Sequence, residues 1–143
     1  MLLTKLLQCL IQIWEYLLRK STNSQLAPPL SLFMAVPTIY SNLLRVLGEE
    51  RSESGSLWGL TESEVRQRCQ ELRLMVCGSA ALPVPTMQQW RDVTGHVLLE
   101  RYGMTEIGMA LTNPYEGERK AGVTSRQIKL PYSVTYASLV KPN

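Results

Sequence analysis

Apolar residues in the first twenty positions of the chain recur at helical spacing. Lys5 and Glu15 interrupt this run, whereas a membrane span needs about 20 predominantly apolar residues. No small-residue cleavage site follows the run, which argues against a signal peptide. We therefore predict an amphipathic helix that packs on a core, with a targeting or membrane-surface segment as the alternative. The apolar positions of this helix are Leu3, Leu6, Leu7, Leu10, Ile13, Trp14, Leu17 and Leu18.

Three short apolar runs further along the chain predict β-strands, at 30–37, 72–77 and 96–101. The first of them, LSLFMAVP, is apolar at almost every position. A continuous apolar run of this kind is typical of a strand that is buried on both faces of a sheet.

The segments between these runs carry the signals of helix ends. Pro37 is well placed to open a helix, and Gly48 is expected to end it. Thr61 and Glu64 have the spacing of a capping box, so a second helix is expected to begin there. A third helix is expected to end at Gly95, and His96 to cap the turn that follows. Beyond about residue 115 no period is visible, which suits either a short hairpin or a disordered tail.

The resulting order is helix, strand, helix, helix, strand, helix, strand. Strands that alternate with helices indicate an α/β fold with a parallel sheet. Ligands of such sheets bind beyond the carboxyl ends of the strands. Two loops are expected at such ends, GSAALP over 78–83 and YGMTE over 102–106. Because consecutive parallel strands are usually neighbours, we expect both loops to face one crevice.

Composition narrows the class of protein only moderately. The chain has 143 residues, 45% of them hydrophobic and 19% charged, which suits one globular domain. A net charge of +3 without a basic run argues against nucleic-acid binding. Three cysteines without a CxxC pair support neither a zinc site nor a disulfide framework. Cys77 is expected to be a small buried apolar residue, and Trp14, Trp58 and Trp90 are expected to pack in the core.

The two predicted end loops carry the residues best suited to bind a ligand. The small residues from Gly78 onward permit close approach of a flat purine, although a tight strand-to-helix turn needs small residues too. Tyr102 offers a stacking surface, and Gly103 lets the chain turn beside it. Thr105 offers a hydroxyl to a phosphate oxygen, and Glu106 a hard oxygen ligand for Mg²⁺. A capped turn with an exposed Glu106 is the alternative.

The same residues resemble a known family. ERYGMTE resembles the YGxTE motif of the adenylate-forming (AMP-binding) superfamily, and GSAALP stands at the matching upstream place. The combined run is similar to the malonyl-CoA synthetase branch, the mitochondrial acyl-CoA synthetases of that type. The resemblance extends from about Leu30 to Pro114, is weaker before that range, and is lost after about Gly122.

The resemblance implies roles for individual residues. It assigns the adenine contact to Gly78, Ser79, Ala80 and Ala81. It assigns the stacking surface to Tyr102 and Gly103, the phosphate contact to Thr105, and the Mg²⁺ ligand to Glu106. Arg101 would meet a substrate carboxylate, with a structural salt bridge as the equally good alternative.

The resemblance also implies a reaction. In this family a carboxylate, here malonate or a related acid, attacks the α-phosphate of ATP and forms an acyl-adenylate and pyrophosphate. CoA then displaces AMP, so ATP, Mg²⁺ and CoA are the cofactors of the parent enzyme. Its partners are these small molecules, with no nucleic acid and no membrane span expected. The parent would be mitochondrial, although no transit peptide is visible in this chain.

Departures from the family pattern indicate a fragment. The family's Ser/Thr/Gly-rich phosphate loop, its ribose-binding aspartate and its catalytic lysine have no counterpart here. We expect residues 1–122 to be the central segment of an AMP-binding domain, a partial piece of the large N-terminal domain, and 123–143 a divergent, poorly ordered tail. The chain alone is expected to be inactive. The alternatives are a non-catalytic α/β nucleotide- or protein-binding module and an unrelated α/β binding domain.

Overall fold

A computed structural model of the chain describes residues 2–18, 30–54, 59–106, 108–120 and 126–127. Its elements follow the predicted order of helices and strands, with two further strands after the third. They are α1 (Leu2–Leu17), β1 (Leu32–Ala35), α2 (Pro37–Ser54), α3 (Glu62–Gln70), β2 (Leu74–Gly78), α4 (Val84–Thr94), β3 (Leu99–Met104), β4 (Gly108–Thr112) and β5 (Arg126–Gln127).

The strands form one mixed sheet in the order β1-β2-β3-β4-β5. β1 pairs with β2 and β2 with β3 in parallel, which confirms the α/β prediction for the first three strands. β4 and β5 add antiparallel pairs that the sequence analysis did not predict. The available signal for β4 was a short apolar stretch that begins with Gly108, just after the Thr105–Glu106 turn.

The first strand does not have the burial that its sequence predicts. β1 lies at the edge of the sheet, with β2 as its neighbour. Phe33 and Ala35 pack against the core, whereas Leu32 and Met34 are exposed on the opposite face. The prediction of a strand buried on both faces was therefore wrong for the described part of the chain. Apolar residues therefore lie on both faces of β1, but only one of these faces is covered by the core.

The core lies between the sheet and the helices and is organised by three aromatic rings. Trp14 of α1 stacks on Trp90 of α4 at 5.5 Å between ring centroids, and Tyr40 of α2 meets Trp90 edge-on at 4.8 Å. The polar atom of each ring also has a hydrogen-bond partner, as is usual for buried Trp and Tyr side chains. Trp14 Nε1 donates to the carbonyl of Leu43, Tyr40 Oη to that of Val76, and Trp90 Nε1 contacts the sulfur of Met75.

The amphipathic helix predicted at the amino terminus is confirmed, but two of its predicted apolar positions, Leu6 and Leu7, are exposed. Leu10, Trp14 and Leu17 are buried in the core, whereas Leu6 and Tyr16 point away from it. Among the described residues, no helix is both long enough and apolar enough to cross a membrane.

The tryptophan prediction is confirmed for Trp14 and Trp90, which are both fully buried; Trp58 lies outside the described residues.

The helix ends agree with the sequence in three cases out of four. The second helix, α2, begins at Pro37 as predicted. Thr61 caps α3, with the reciprocal backbone bond to Glu64 that completes the capping box. Gly95 ends α4 in the left-handed region at φ 78°. The prediction that Gly48 ends α2 was wrong, because that helix continues to Ser54. A glycine inside a helix costs about 1 kcal/mol and does not by itself end the helix.

Candidate functional site

The carboxyl end of β2 lies beside the middle of β3, which continues to Met104. The parallel register pairs Cys77 with Glu100 and Gly78 with Arg101. One step further along each chain stand Ser79 and Tyr102. The loop that leaves β2 and the second half of β3 therefore meet at one edge of the sheet, which is where parallel sheets bind ligands.

The YGMTE segment is not the loop that we predicted. Tyr102 and Gly103 belong to β3, which extends to Met104 because β4 pairs with it in antiparallel fashion. The pairing is irregular between Tyr102 and Gly103, at a bulge that re-aims the strand. Thr105 and Glu106 form the exposed turn that follows. The candidate residues therefore stand on a hairpin arm that projects beyond β2.

Gly103 is required by the close approach of the two hairpin strands. A β-carbon at this position would overlap the carbonyl oxygen of Gly108 and lie 3.0 Å from the Cα of Met109. Both neighbours are backbone atoms that cannot move aside without breaking the pairing. The glycine that separates the tyrosine from the Thr105–Glu106 turn is thus explained by packing.

We expect Gly103→Ala to destabilise the chain by at least about 2 kcal/mol, because the added methyl group meets backbone. The matched control is Gly48→Ala in α2, where a β-carbon would meet nothing within 4 Å. That variant should be more stable by about 0.5–1 kcal/mol. Urea unfolding followed by circular dichroism measures both variants. Equal stability of Gly103→Ala and the original chain would show that the hairpin does not pack as described.

The loop after β2 leaves the sheet through a strained residue. Ser79 has φ 68°, in the left-handed region that residues other than glycine rarely adopt. Ser79, Ala80 and Ala81 are exposed, and Leu82 returns to the core. Backbone strain of this kind persists only where the surrounding structure fixes it, and it is common at ligand sites. Three small exposed residues thus form the surface of the loop at this edge of the sheet.

Sequence reasoning missed Glu100, which organises this edge. Its side chain is only 4% exposed, and its Oε1 accepts a hydrogen bond of 3.0 Å from the backbone N–H of Leu82. Its backbone carbonyl accepts a bond of 2.8 Å from the N–H of Asn113, just past β4. A carboxylate inside the apolar run HVLLERY was the available signal, since glutamate is almost never fully buried without a partner.

The side chain of Arg101 lies on the face of the sheet opposite to that of Glu100. Side chains alternate along a strand, so Arg101 faces away from Glu100 and Tyr102. It lines an open groove of about 300 Å³ on the helix-free face, with Leu32, Met34 and Val76. The structure therefore places the side chain of Arg101 on the face opposite to that of Tyr102. Gly78 lies on the Arg101 face, because the two are register partners and a β-carbon on Gly78 would lie 3.3 Å from Arg101 Cγ.

The turn after β3 can supply one ligand to Mg²⁺, the carboxylate of Glu106. Glu106 is exposed at the tip of the hairpin. In the part of the chain that the structure describes, no group of three or more His, Cys, Asp or Glu side chains is placed to hold a metal ion. Magnesium, however, is commonly bound by one or two carboxylates together with substrate phosphates. Glu106 would therefore hold it only with a nucleotide.

Cys77 and His96 have structural roles rather than chemical ones. Burial, and secondarily the charge of Glu100, raise the pKa of the Cys77 thiol to about 12. Cys77 thus stays protonated and, as predicted, is a small buried residue. Burial lowers the pKa of His96, whose Nε2 lies 2.9 Å from the carbonyl of Cys69. Its backbone N–H donates to Thr94 Oγ1, but its ring contacts α3, whereas it was predicted to cap the turn after Gly95.

Comparison with known proteins gives the same family throughout. The family model described as AMP-binding enzyme matches residues 29–143. The mitochondrial malonate–CoA ligase ACSF3 of Xenopus laevis is 48% identical over 115 residues, which are 80% of this chain and 18% of that protein. The ACSF3 protein of Mus musculus is 50% identical over 112 residues, 78% of this chain and 18% of the mouse protein.

Solved structures give a consistent result. ATP-bound MatB from Rhodopseudomonas palustris superposes with a TM-score of 0.60 at 30% identity, covering 83% of this chain and 19% of MatB. A malonyl-CoA ligase in a ternary product complex with methylmalonyl-CoA and AMP superposes with a TM-score of 0.58 at 28% identity, covering 80% of this chain and 21% of the ligase. The chain thus spans about a fifth of the length of the proteins it matches.

Proposed function

Because this chain belongs to the AMP-binding enzyme family, we propose that it is a segment of an ATP-dependent acid–CoA ligase whose sheet edge faces the nucleotide. The parent reaction joins malonate or a related carboxylate to CoA through an acyl-adenylate, releasing AMP and pyrophosphate. Relatives named malonate–CoA ligases support this substrate class. Relatives named mitochondrial support a mitochondrial parent.

The parallel pairing of β2 and β3 is the observation that carries this proposal. It brings the small residues Gly78–Ala81 and the ring of Tyr102 to the same edge of the sheet. A flat adenine would lie on the small residues and against the ring, since every base has a face that stacks on aromatic side chains. The chemistry of this edge therefore suits the adenosine part of ATP.

The turn beyond Tyr102 would meet the phosphates. The hydroxyl of Thr105 would donate to a phosphate oxygen, and Glu106 would hold Mg²⁺ together with the phosphates. The bound ion would neutralise phosphate charge. Arg101 would approach a substrate carboxylate from the groove on the helix-free face, because its side chain is on that side of β3.

The test is equilibrium binding of AMP to the purified chain by calorimetry. We expect weak binding that weakens at least about fivefold in Tyr102→Ala, since removing one stacked aromatic ring costs about 1–3 kcal/mol. Tyr115→Ala is the matched control, because Tyr115 is 54% exposed and Tyr102 47%. It should bind AMP as the original chain does. Equal loss in both variants, or no binding by the original chain, would contradict the proposed nucleotide edge.

A further inference from the structure

Glu100 lies where the two halves of the proposed nucleotide edge join. Its side chain reaches the loop after β2 through Leu82, and its backbone carbonyl holds the chain just after β4 through Asn113. Thr112 Oγ1, at 3.3 Å, also donates to that carbonyl. Tyr102 follows two residues later on the same face of β3. One residue therefore contacts both the loop after β2 and the end of β4, and it stands on β3 two residues before Tyr102.

The loop needs such a support. Ser79 holds a left-handed backbone conformation, and the next two residues are exposed with small side chains that pack on little. The loop is fixed at its far end, where the side chain of Leu82 is buried and its N–H donates to Glu100 Oε1. Strain near Ser79 persists only if both ends of the loop are held.

Burial of the Glu100 carboxylate costs free energy, so its bonding partners indicate what it stabilises. An ionised side chain that is removed from water must be hydrogen-bonded to be tolerated. Bonds from backbone N–H groups to charged acceptors are about twice as strong as neutral ones. Glu100 is paired in the register with Cys77, the residue immediately before the loop segment. Glu100 thus stands beside the start of the turn in the register, and its carboxylate accepts a bond at the end of the turn, from Leu82.

We propose that Glu100 is a positioning residue, which holds the Gly78–Leu82 turn in the conformation that receives the adenine beside Tyr102. This role rests on the proposed function for the identity of the ligand, but the effect on the turn does not require a nucleotide. Glu100 would not touch the reacting atoms. It would act through the Leu82 N–H and, at the other end, through the backbone bonds to β4.

The experiment compares three variants of the full chain. Glu100→Gln keeps an acceptor oxygen in the same place, and Glu100→Leu removes it with little change in volume. Thr94→Val is the control for general destabilisation. Thr94 is fully buried and donates to the carbonyl of Trp90, away from the turn. Hydrogen exchange at the Leu82 amide and AMP affinity are measured for each variant.

We expect exchange at Leu82 to be at least about tenfold faster in Glu100→Leu, because a bond from a backbone N–H to a charged acceptor is lost. AMP affinity should fall about fivefold or more in the same variant. Glu100→Gln should keep both values within about threefold of the original chain, since a neutral acceptor remains. Thr94→Val should leave the AMP affinity unchanged.

Exchange at Leu82 that is no faster in Glu100→Leu than in Thr94→Val would overturn the proposal. So would a well-folded Glu100→Gln variant that behaves like Glu100→Leu, because an acceptor oxygen would then not be what the turn requires. If the original chain binds no AMP, the proposed function fails, and the exchange data still decide whether Glu100 holds the turn.

Discussion

The purified 143-residue chain should release no AMP above background when it is given malonate, ATP, CoA and Mg²⁺. The contacts that we propose address only adenine, one phosphate and a metal ion, and no stretch of the chain is a Ser/Thr/Gly-rich phosphate loop. The catalytic lysine that the family resemblance implies has no counterpart here either. Each preorganised electrostatic contact of this kind is typically worth about 10²–10³ in rate. Loss of two such contacts lowers turnover by about 10⁴ or more.

The AMP-release assay needs a positive and a negative control. The malonate–CoA ligase ACSF3 of Mus musculus, which is 50% identical to this chain over 112 residues, serves as a positive control under the same conditions. Glu106→Ala of the present chain serves as a negative control. AMP release by the original chain that is robust and disappears in Glu106→Ala would show that these residues suffice for the chemistry.

Replacing Trp14 by alanine should destabilise the chain by about 3–5 kcal/mol, the usual cost of removing a large buried aromatic side chain. Trp14 is fully buried, stacks on Trp90 and donates to the carbonyl of Leu43. Single domains are stable by only about 5–15 kcal/mol, so the variant should populate unfolded molecules at low urea.

The matched control is Tyr16→Ala on the same helix, because Tyr16 is 60% exposed. This variant should unfold at nearly the same urea concentration as the original chain. The comparison is informative because α1 precedes residue 29, where the family match begins. If Trp14→Ala and Tyr16→Ala unfold alike, α1 does not pack on the domain.

Local signals in the sequence predicted the elements that depend on neighbours within a few residues. The capping box at Thr61 and the left-handed Gly95 need no tertiary information, and both were found where expected. Gly48 was misread because a glycine signals a helix end only when the backbone turns there. In α2 the buried residues Leu43, Val46 and Leu47 all precede Gly48, and the helix passes through the glycine and continues to Ser54.

The parts of the site that were not predictable depend on pairing across the sheet. Tyr102 was assigned to a loop because its segment contains a glycine and polar residues. Its strand character comes from β4, which is a partner later in the chain. Glu100 escaped notice because its role is set by a bond to Leu82, eighteen residues earlier in the chain. The parallel order of the first three strands was predictable from the alternation of strands with helices.

The division of the chain at residue 122 stays a prediction. β5 pairs Arg126 and Gln127 with β4, and the other residues of 123–143 lie outside the described residues. The family match itself extends to residue 143.

Titration of the ¹⁵N-labelled chain with AMP tests the central claim most directly, namely that residues 78–82 and 102–106 form one nucleotide-facing edge. We predict that the amide signals that shift first and furthest belong to these two segments, and that both segments report the same dissociation constant. Shifts confined to one segment, or centred on the groove around Met34 and Arg73 on the helix-free face, would contradict the account.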